Sequence, residues 1–378
     1  MKILMPCYEF PPIGGGAGRV VAGLSSELVR QGHEVDVVTS RFRGLAARET
    51  VNGVEIHRVN CVRLKEHWCT LPEVATYMIA ARRKIRDLVS RKRYDINHTH
   101  FIFPDGLNAR HIKQETGLPY MITAHGSDVP GYNPHQVRLL HPLLSPLWSG
   151  ITHDASALVC PSRSLQALVA KRDSALRTTR IPYGFDVGRY RKESRRERRI
   201  LVVSRMLQRK GIQFLLQALE ELPLGPEVHL VGDGPYLPAL RKLAARTRIT
   251  VTFHGWLDNS STELTRLYET SEIFVLPSEQ ENFPVALMEA MDAGLAIVTT
   301  RGSGCSEVVG DAGVFVEPRD VPGLRAALES LVKEPERIRR LGRAAHERIA
   351  AEFAWPVIAR RYVDLYAAHR SPSRRTTA

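Results

Sequence analysis

The sequence predicts an α/β chain built as two Rossmann-like domains facing a central cleft. Three features lead there. Short apolar runs rich in Val, Ile and Leu recur along the chain and read as parallel strands buried on both faces. Helical segments separate them, which is the strand–helix–strand rhythm of doubly wound sheets. The rhythm also starts twice, at residue 2 and again at residue 199. Polar loops follow the strands of both halves, at the sheet edge where open α/β sheets bind ligands.

At 378 residues the chain exceeds one ordinary core. The expected division is a first domain over 1–186 and a second over 198–355, joined by a basic, non-periodic connector near 189–199. With 43% hydrophobic and 25% charged residues the composition is globular. Residues 1–5 resemble a strand rather than a signal peptide, and no apolar stretch is long enough to span a bilayer. The five cysteines are scattered, without a C-x-x-C pair. That favours a reducing cytoplasm and argues against structural zinc. A net charge of +13 favours an anionic partner: nucleotide, phospholipid surface, anionic glycan or nucleic acid. Nucleic acid is disfavoured, because the basic segments lack interleaved aromatics.

In the first half, residues 2–5 give a strand, residues 9–18 a Pro- and Gly-rich loop, residues 19–31 a helix and residues 35–38 a second strand. Gly14-Gly15-Gly16 is either a tight turn or a place where backbone approaches a ligand. Its spacing is neither the G-x-G-x-x-G fingerprint nor a P-loop. Further strands are expected at 54–59 and 94–98, with a basic helix over 78–93 between them. That helix carries Arg82, Arg83, Lys84, Arg86, Arg91, Lys92 and Arg93. Such a run is a solvated face or a dock for anionic lipid, where each cation adds roughly 1 kcal/mol. Residues 120–123 form a buried strand leading into His125-Gly126-Ser127-Asp128. His125 reads as a neutral hydrogen-bonding group beside a reacting sugar, with Asp128 orienting it or serving the acceptor. The alternative is a structural histidine, with Asp128 capping the turn. Residues 136–148 add an apolar patch of undecided role, and 157–160 another strand.

The second half opens with a strand at 199–203 and the cations Arg205 and Lys210, then a helix at 212–222. Two cations at a strand's C-terminal end suit a diphosphate leaving group, whose growing charge they stabilise. Strands follow at 228–231 and 250–256. The densest signal is Ser278 to Gly294, between strands at 273–276 and 295–299. Pro284 suits the first turn of a helix and Gly294 its stop. Glu281 lies in the loop and Glu289 a little over one turn into the helix. N–H groups at a helix start attract phosphate oxygens, while two carboxylates hold hydroxyls, a combination suited to a phosphorylated sugar. The plainer alternative is that Glu281 caps the helix and Glu289 is solvated.

Glu281 and Glu289 with seven residues between them, Phe283-Pro284 inside and Glu289-Ala290-Met291 then Ala293-Gly294 behind, resemble the E-x7-E region of retaining family 4 glycosyltransferases. The His-Gly-Ser-Asp at 125–128, the Arg205-x4-Lys210-Gly211 and the Phe353-Ala354-Trp355 before the last helix are similar to that family too. The resemblance covers residues 2 to about 366 and implies the GT-B arrangement, with a helix at about 356–370 crossing back onto the first domain. It implies transfer of a hexosyl or N-acetylhexosaminyl group from a UDP- or GDP-sugar to a hydroxyl acceptor, with retention. The acceptor is a saccharide, a lipid-linked glycan or a small molecule. Arg205 and Lys210 take the diphosphate, Glu289 the ribose, and Glu281 with Asn282, Phe283, Pro284 and Val285 the sugar. Gly15 and Gly16 line the donor site, His125 lies near the anomeric carbon and Asp128 near the acceptor. No Asp-x-Asp is present, so neither metal nor resident cofactor is expected. Tyr183-Gly184 replaces the family's usual Asn-Gly, so no polar role carries over to Tyr183. A sugar-nucleotide epimerase of the same fold and a non-catalytic nucleotide-sugar-binding protein are the rival readings. The expected location is the cytoplasm, peripheral on the inner face of an anionic membrane.

Overall fold

The computed structural model describes residues 1–65, 69–132, 141–190, 197–222 and 226–370, without the side chains of 141–144. Residues 136–140 of the expected apolar patch, 191–196 of the connector and the tail beyond 370 lie outside the described residues. The chain divides into two compact units, Met1–Gly184 with the segment from Trp355 onward, and Phe185–Ala354.

In the first unit β1 (Lys2–Pro6), β2 (Glu34–Ser40), β3 (Arg48–Val51), β4 (Val54–Val59), β5 (Ile96–His100), β6 (Tyr120–Thr123), β7 (Ala157–Cys160) and β8 (Thr178–Arg180) form one sheet. Its order is β3-β4-β2-β1-β5-β6-β7-β8, parallel throughout except where β3 meets β4. The crossovers are α1 (Gly16–Arg30), α2 (Leu71–Arg91), α3 (Asp105–Thr116), α4 (His141–Asp154) and α5 (Arg163–Arg172).

In the second unit β9 (Arg199–Val203), β10 (Glu227–Val231), β11 (Val251–Gly255), β12 (Ile273–Leu276), β13 (Ala296–Thr300) and β14 (Gly313–Val316) make a parallel sheet in the order β11-β10-β9-β12-β13-β14. Its helices are α6 (Ile212–Glu220), α7 (Leu237–Ala244), α8 (Thr262–Thr270), α9 (Val285–Asp292), α10 (Gly304–Val309), α11 (Val321–Lys333) and α12 (Pro335–Glu352). Apolar residues of β9, β10, β12 and β13 pack against α6 and α11 to form its core. In each sheet the chain begins centrally, builds to one edge and then to the other. The direction of winding therefore switches between β1 and β5, and between β9 and β12, and loops leaving those strands flank a natural crevice.

The last helix, α13 (Trp355–His369), belongs to the first unit. Its Trp355 indole lies so close to Gly23 and Gly184 that a Cβ on either would come within 2.3 Å and 2.1 Å of the ring. Tyr366 and Tyr362 are buried and carry hydroxyls into the sheet. The Tyr366 hydroxyl is 2.7 Å from His98 Nδ1, His98 Nε2 is 2.8 Å from Thr123 Oγ1, and Thr123 Oγ1 is 3.2 Å from the Tyr362 hydroxyl.

Several boundaries differ from expectation for local reasons. β3 and β8 are polar edge strands without an apolar run, and edges are where such sequences go. The β3–β4 hairpin turns on Asn52 and Gly53, both at positive φ, the Asn-Gly pairing that two-residue hairpins favour. The basic helix starts at Leu71 rather than 78, because Thr70 and Glu73 form a capping box with Pro72 in the first turn. The first helix begins at Gly16, so Gly15 is its N-cap. Strand β5 runs to His100, which puts both His98 and His100 inside the sheet.

Burial pulls the pKa of His98 down to about 3 and that of His100 well below the ordinary histidine range. Both are therefore neutral in the fold, while the unfolded chain binds protons from about pH 6.5 downward. Their contribution to stability is whole above that pH and drains away as pH falls toward 3. At pH 5 the loss is roughly 2 kcal/mol per histidine. The thermal midpoint should fall between pH 7.5 and pH 5, and His98→Gln should flatten that fall; a variant with the wild-type slope contradicts the assignment.

Candidate active site

In the second unit the loops after β9 and β12 leave the two strands that flank the switch. The first carries Arg205 and then a short 3-10 turn, Gln208–Lys210. Gly211 closes that turn at φ +71, and a Cβ there would lie 1.9 Å from the Pro277 carbonyl oxygen. The β12 loop is sewn to it by Glu279 N donating to the Arg209 carbonyl at 2.9 Å. This joins the Lys210 and Glu281 side chains in an ion pair with each about nine-tenths buried. Arg205 is exposed to solvent. A ligand thus meets one open guanidinium and one lysine already held by a carboxylate.

Further glycines set the height of these loops. A Cβ on Gly232 or Gly234 would strike the Ser204 carbonyl at 1.9 Å or the Met206 carbonyl at 2.5 Å, so the Arg205 loop lies flat on the turn after β10. A Cβ on Gly304 would fall 1.5 Å from the Asn282 carbonyl, and Gly304 N donates to the Glu281 carbonyl at 3.0 Å. Asn282 and Phe283 are buried there, with Phe283 packed edge-on to Phe353. Pro284 is the N-cap of α9, at ψ 113, one position before the first turn expected for it. Glu289 is 2% exposed and accepts a 2.9 Å hydrogen bond from the Tyr268 hydroxyl. It is not a solvated helix residue.

In the first unit the β1 loop folds so that Glu9 Oε2 accepts from Gly15 N at 3.1 Å, and Gly14 at φ +95 lies against the Glu9 side chain. The start of α1, where Gly15 and Gly16 sit, is thus already faced by a carboxylate from its own loop, a partner that glycine spacing alone does not reveal. His125 follows β6. Its Nδ1 is 2.8 Å from the Tyr183 hydroxyl and its Nε2 is 3.1 Å from His100 Nδ1. Burial lowers its pKa to about 3, so the ring is neutral at working pH. Tyr183 therefore has a polar role after all, correcting the expectation drawn from its departure from Asn.

Asp128 caps the turn and orients the loop of His125, two of the roles the sequence left open. Its Oδ1 accepts from His125 N and Gly126 N, both at 2.9 Å, and its Oδ2 from Ile102 N at 2.8 Å. The carboxylate expected near the acceptor is built into the loop that carries His125. Trp256 is 54% exposed just beyond β11.

The basic helix α2 differs most from a free cationic face. Arg86 pairs with Glu115, Lys84 and Arg91 with Asp87, and Lys92 with Asp36 and Glu34, while Arg82 bonds Asn108 and His111. Burial raises the Asp36 pKa, but hydrogen bonds from His57, Lys92 and Tyr94 outweigh it and hold the group at about 2. Among the described residues of the cluster no ion pair is formed by Arg82, Arg83 or Arg93, and of these Arg82 is hydrogen-bonded. No described helix is long and apolar enough to cross a membrane.

Comparison with known proteins agrees with this geometry. A family profile described as Glycosyltransferase Family 4 matches residues 14–189, and one described as Glycosyl transferases group 1 matches residues 197–334. The chain is 27% identical to N-acetyl-alpha-D-glucosaminyl L-malate synthase of Bacillus anthracis, over 97% of this chain and 96% of that protein. Its fold is similar to that of sucrose-phosphate synthase from Thermosynechococcus elongatus, with a TM-score of 0.84 at 21% identity, covering 97% of this chain and 98% of the other. It is also similar to Anabaena HepE in complex with UDP, with a TM-score of 0.76 at 17% identity over 97% and 100%. The chain belongs to the family 4, group 1 glycosyltransferases, has the GT-B fold, and is a glycosyltransferase acting on nucleotide sugars.

Proposed function

We propose that this enzyme moves a hexosyl or N-acetylhexosaminyl group from a UDP- or GDP-sugar to a hydroxyl acceptor with retention and without a metal. The observation that carries the reading is the pairing of Lys210 with Glu281 beside the open Arg205 at the β9–β12 switch. Arg205 and Lys210 stabilise the diphosphate as its bond to the anomeric carbon breaks, commonly the largest single catalytic effect. Glu281 holds Lys210 in place and, with the backbone through Val285, faces the sugar. The acceptor oxygen bonds to the anomeric carbon on the face the diphosphate leaves. Its proton passes to an oxygen of the departing phosphate, so no side-chain nucleophile is needed. His125, neutral and held at both ring nitrogens, orients the reacting sugar rather than carrying its proton. The N-acetyl-alpha-D-glucosaminyl L-malate synthase relative supports an N-acetylhexosaminyl group, and the UDP-bound HepE structure supports a UDP-linked donor.

A membrane-surface acceptor is favoured by one specific feature. Val62 and Leu64 before α2, and Leu71 and Ile79 within its first nine residues, are more than half exposed. Interfacial helices join such apolar side chains to nearby cations, here Arg83.

Lys210→Ala and Glu281→Ala should each lower transfer by about a hundredfold or more with the circular dichroism spectrum unchanged; near-wild-type turnover of either removes it from the mechanism. Tyr183→Phe keeps the ring but removes the hydroxyl. It should lower kcat about tenfold and leave the donor KM within about twofold, and an unchanged kcat would show that the bond to His125 is structural only. Leu71→Asp with Ile79→Asp should abolish sedimentation with phosphatidylglycerol vesicles while sparing transfer to a soluble acceptor. Undiminished sedimentation rules out this face.

A further inference from the structure

Four polar side chains of the first sheet stand on one face. Alternation along a strand puts His98 with His100 on β5, and Thr123 with His125 at and just past the end of β6. The register of the two strands sets His100 beside Thr123. His98 has a hydroxyl at each ring nitrogen and is satisfied within its own layer. His100 is placed differently. It is fully buried, with its ring 4.3 Å from that of His98 and stacked at 5.3 Å on that of His125. Its Nδ1 lies 3.1 Å from His125 Nε2. Its Nε2 is buried and has no hydrogen-bond partner among the described residues.

That one atom decides which way the hydrogens run. A neutral imidazole carries one N–H and one bare nitrogen, so between two bonded imidazoles one ring donates and the other accepts. If His125 donated through Nε2, the hydrogen of His100 would sit on its own Nε2. That is an N–H buried without an acceptor, which folded proteins rarely tolerate. If His100 donates through Nδ1, only a bare lone pair is left at its Nε2. This is the milder loss, because unpaired acceptors are the commoner of the two in folded interiors. His125 Nε2 is then the acceptor, and the hydrogen of His125 sits on Nδ1, 2.8 Å from the Tyr183 oxygen that receives it. Every donor points the same way, from His100 through His125 to Tyr183. The Phe101 ring packs 4.5 Å from that of His125, so packing as well as bonding resists a flip of the imidazole.

We propose that His100 is a positioning residue of this transferase, which holds His125 as the Nδ1–H tautomer between two hydrogen bonds. This rests on the reading of His125 as the group beside the reacting sugar. The tautomer of an imidazole is set by the bond its far nitrogen makes, and a wrong tautomer lowers turnover even where the geometry is intact. Here that bond comes from a second neutral histidine rather than a carboxylate, so the support adds no charge beside the sugar.

The test uses the full chain, isotopically labelled in its histidine nitrogens. Magnetic resonance correlation of ring nitrogens with carbon-bound ring hydrogens, assigned with His125→Gln, separates the Nδ1–H form from the Nε2–H form. Wild-type His125 should give the Nδ1–H pattern, and the Nε2–H pattern overturns the proposal. His100→Asn sets an amide nitrogen where Nδ1 stands and keeps a donor, whereas His100→Leu removes it. Turnover is read as nucleotide released from UDP-N-acetylglucosamine, UDP-glucose or GDP-mannose, whichever the wild type consumes fastest. His100→Leu should lose the pure Nδ1–H pattern and lower kcat about tenfold, with the donor KM within about twofold. His100→Asn should keep the pattern and hold kcat within about threefold of wild type. Equal losses of kcat in both variants, with the His125 pattern unchanged, would make His100 a packing residue and overturn the proposal. Wild-type kcat in His100→Leu would overturn it too, and there His125→Gln separates the two assignments. If His125→Gln lowers kcat about tenfold or more, only the role of His100 fails. If it leaves kcat unchanged, the place of His125 beside the sugar fails as well. Should His100→Leu not fold, the wild-type pattern and the Asn variant still decide.

Discussion

The candidate site of the second unit depends on two loops meeting backbone to backbone. At Gly211 there is room for a hydrogen and nothing more before the Pro277 carbonyl oxygen. That closeness lets the Arg209 carbonyl accept from Glu279 N and puts Lys210 against Glu281. A nearly buried ion pair is stable only when its geometry is fixed, and loss of one partner strands the other in a poor solvent. The contact therefore does two things at once. It fixes the position of a cation, and it makes the carboxylate beside it dependent on that cation. Gly304 performs the same service on the far side of the β12 loop, where its contact with Asn282 keeps the Glu281–Val285 backbone from rising.

Much of this was legible in the chain. The apolar strand runs, the Arg205-x4-Lys210-Gly211 spacing and the Glu281 and Glu289 pair announce a doubly wound sheet with charged loops at its C-terminal edge, because each depends on short-range pattern. What sequence does not disclose is which polar groups find one another across long separations. Asp128 looks free to serve a substrate until its oxygens are seen accepting from three backbone amides. Tyr183 looks like a loss of polarity until its hydroxyl meets His125. The cations of α2 look like an open charged face, yet their partners Glu115, Asp36 and Glu34 come from other elements. The Thr70 capping box, by contrast, was written locally as Thr-x-x-Glu and marks the true start of the helix.

Buried polarity near the candidate site takes two forms. In the second unit Lys210 is buried with Glu281, and buried Glu289 faces the partly exposed Arg189. In the first, the layer joined to His125 is neutral, with His98, Thr123, Tyr362 and Tyr366 hydrogen-bonded in series and His100 linking His125 to it, while charge is buried elsewhere in that unit, at Asp36 and Arg58. Neutral groups lose less on burial than ions do. They also give His125 a fixed orientation without a charge.

The return of the last helix has a consequence for how the protein is made. Trp355 seals against Gly23 and Gly184, and Tyr362 and Tyr366 satisfy groups deep in the first sheet. Those partners leave the ribosome early, and the helix follows only after the whole of the second unit. During synthesis the first unit must therefore wait with its histidine layer uncovered, while the intervening residues complete their own sheet. A fragment ending near Gly184 would be permanently in that unfinished condition, and supplying the helix as a separate peptide is the natural way to finish it.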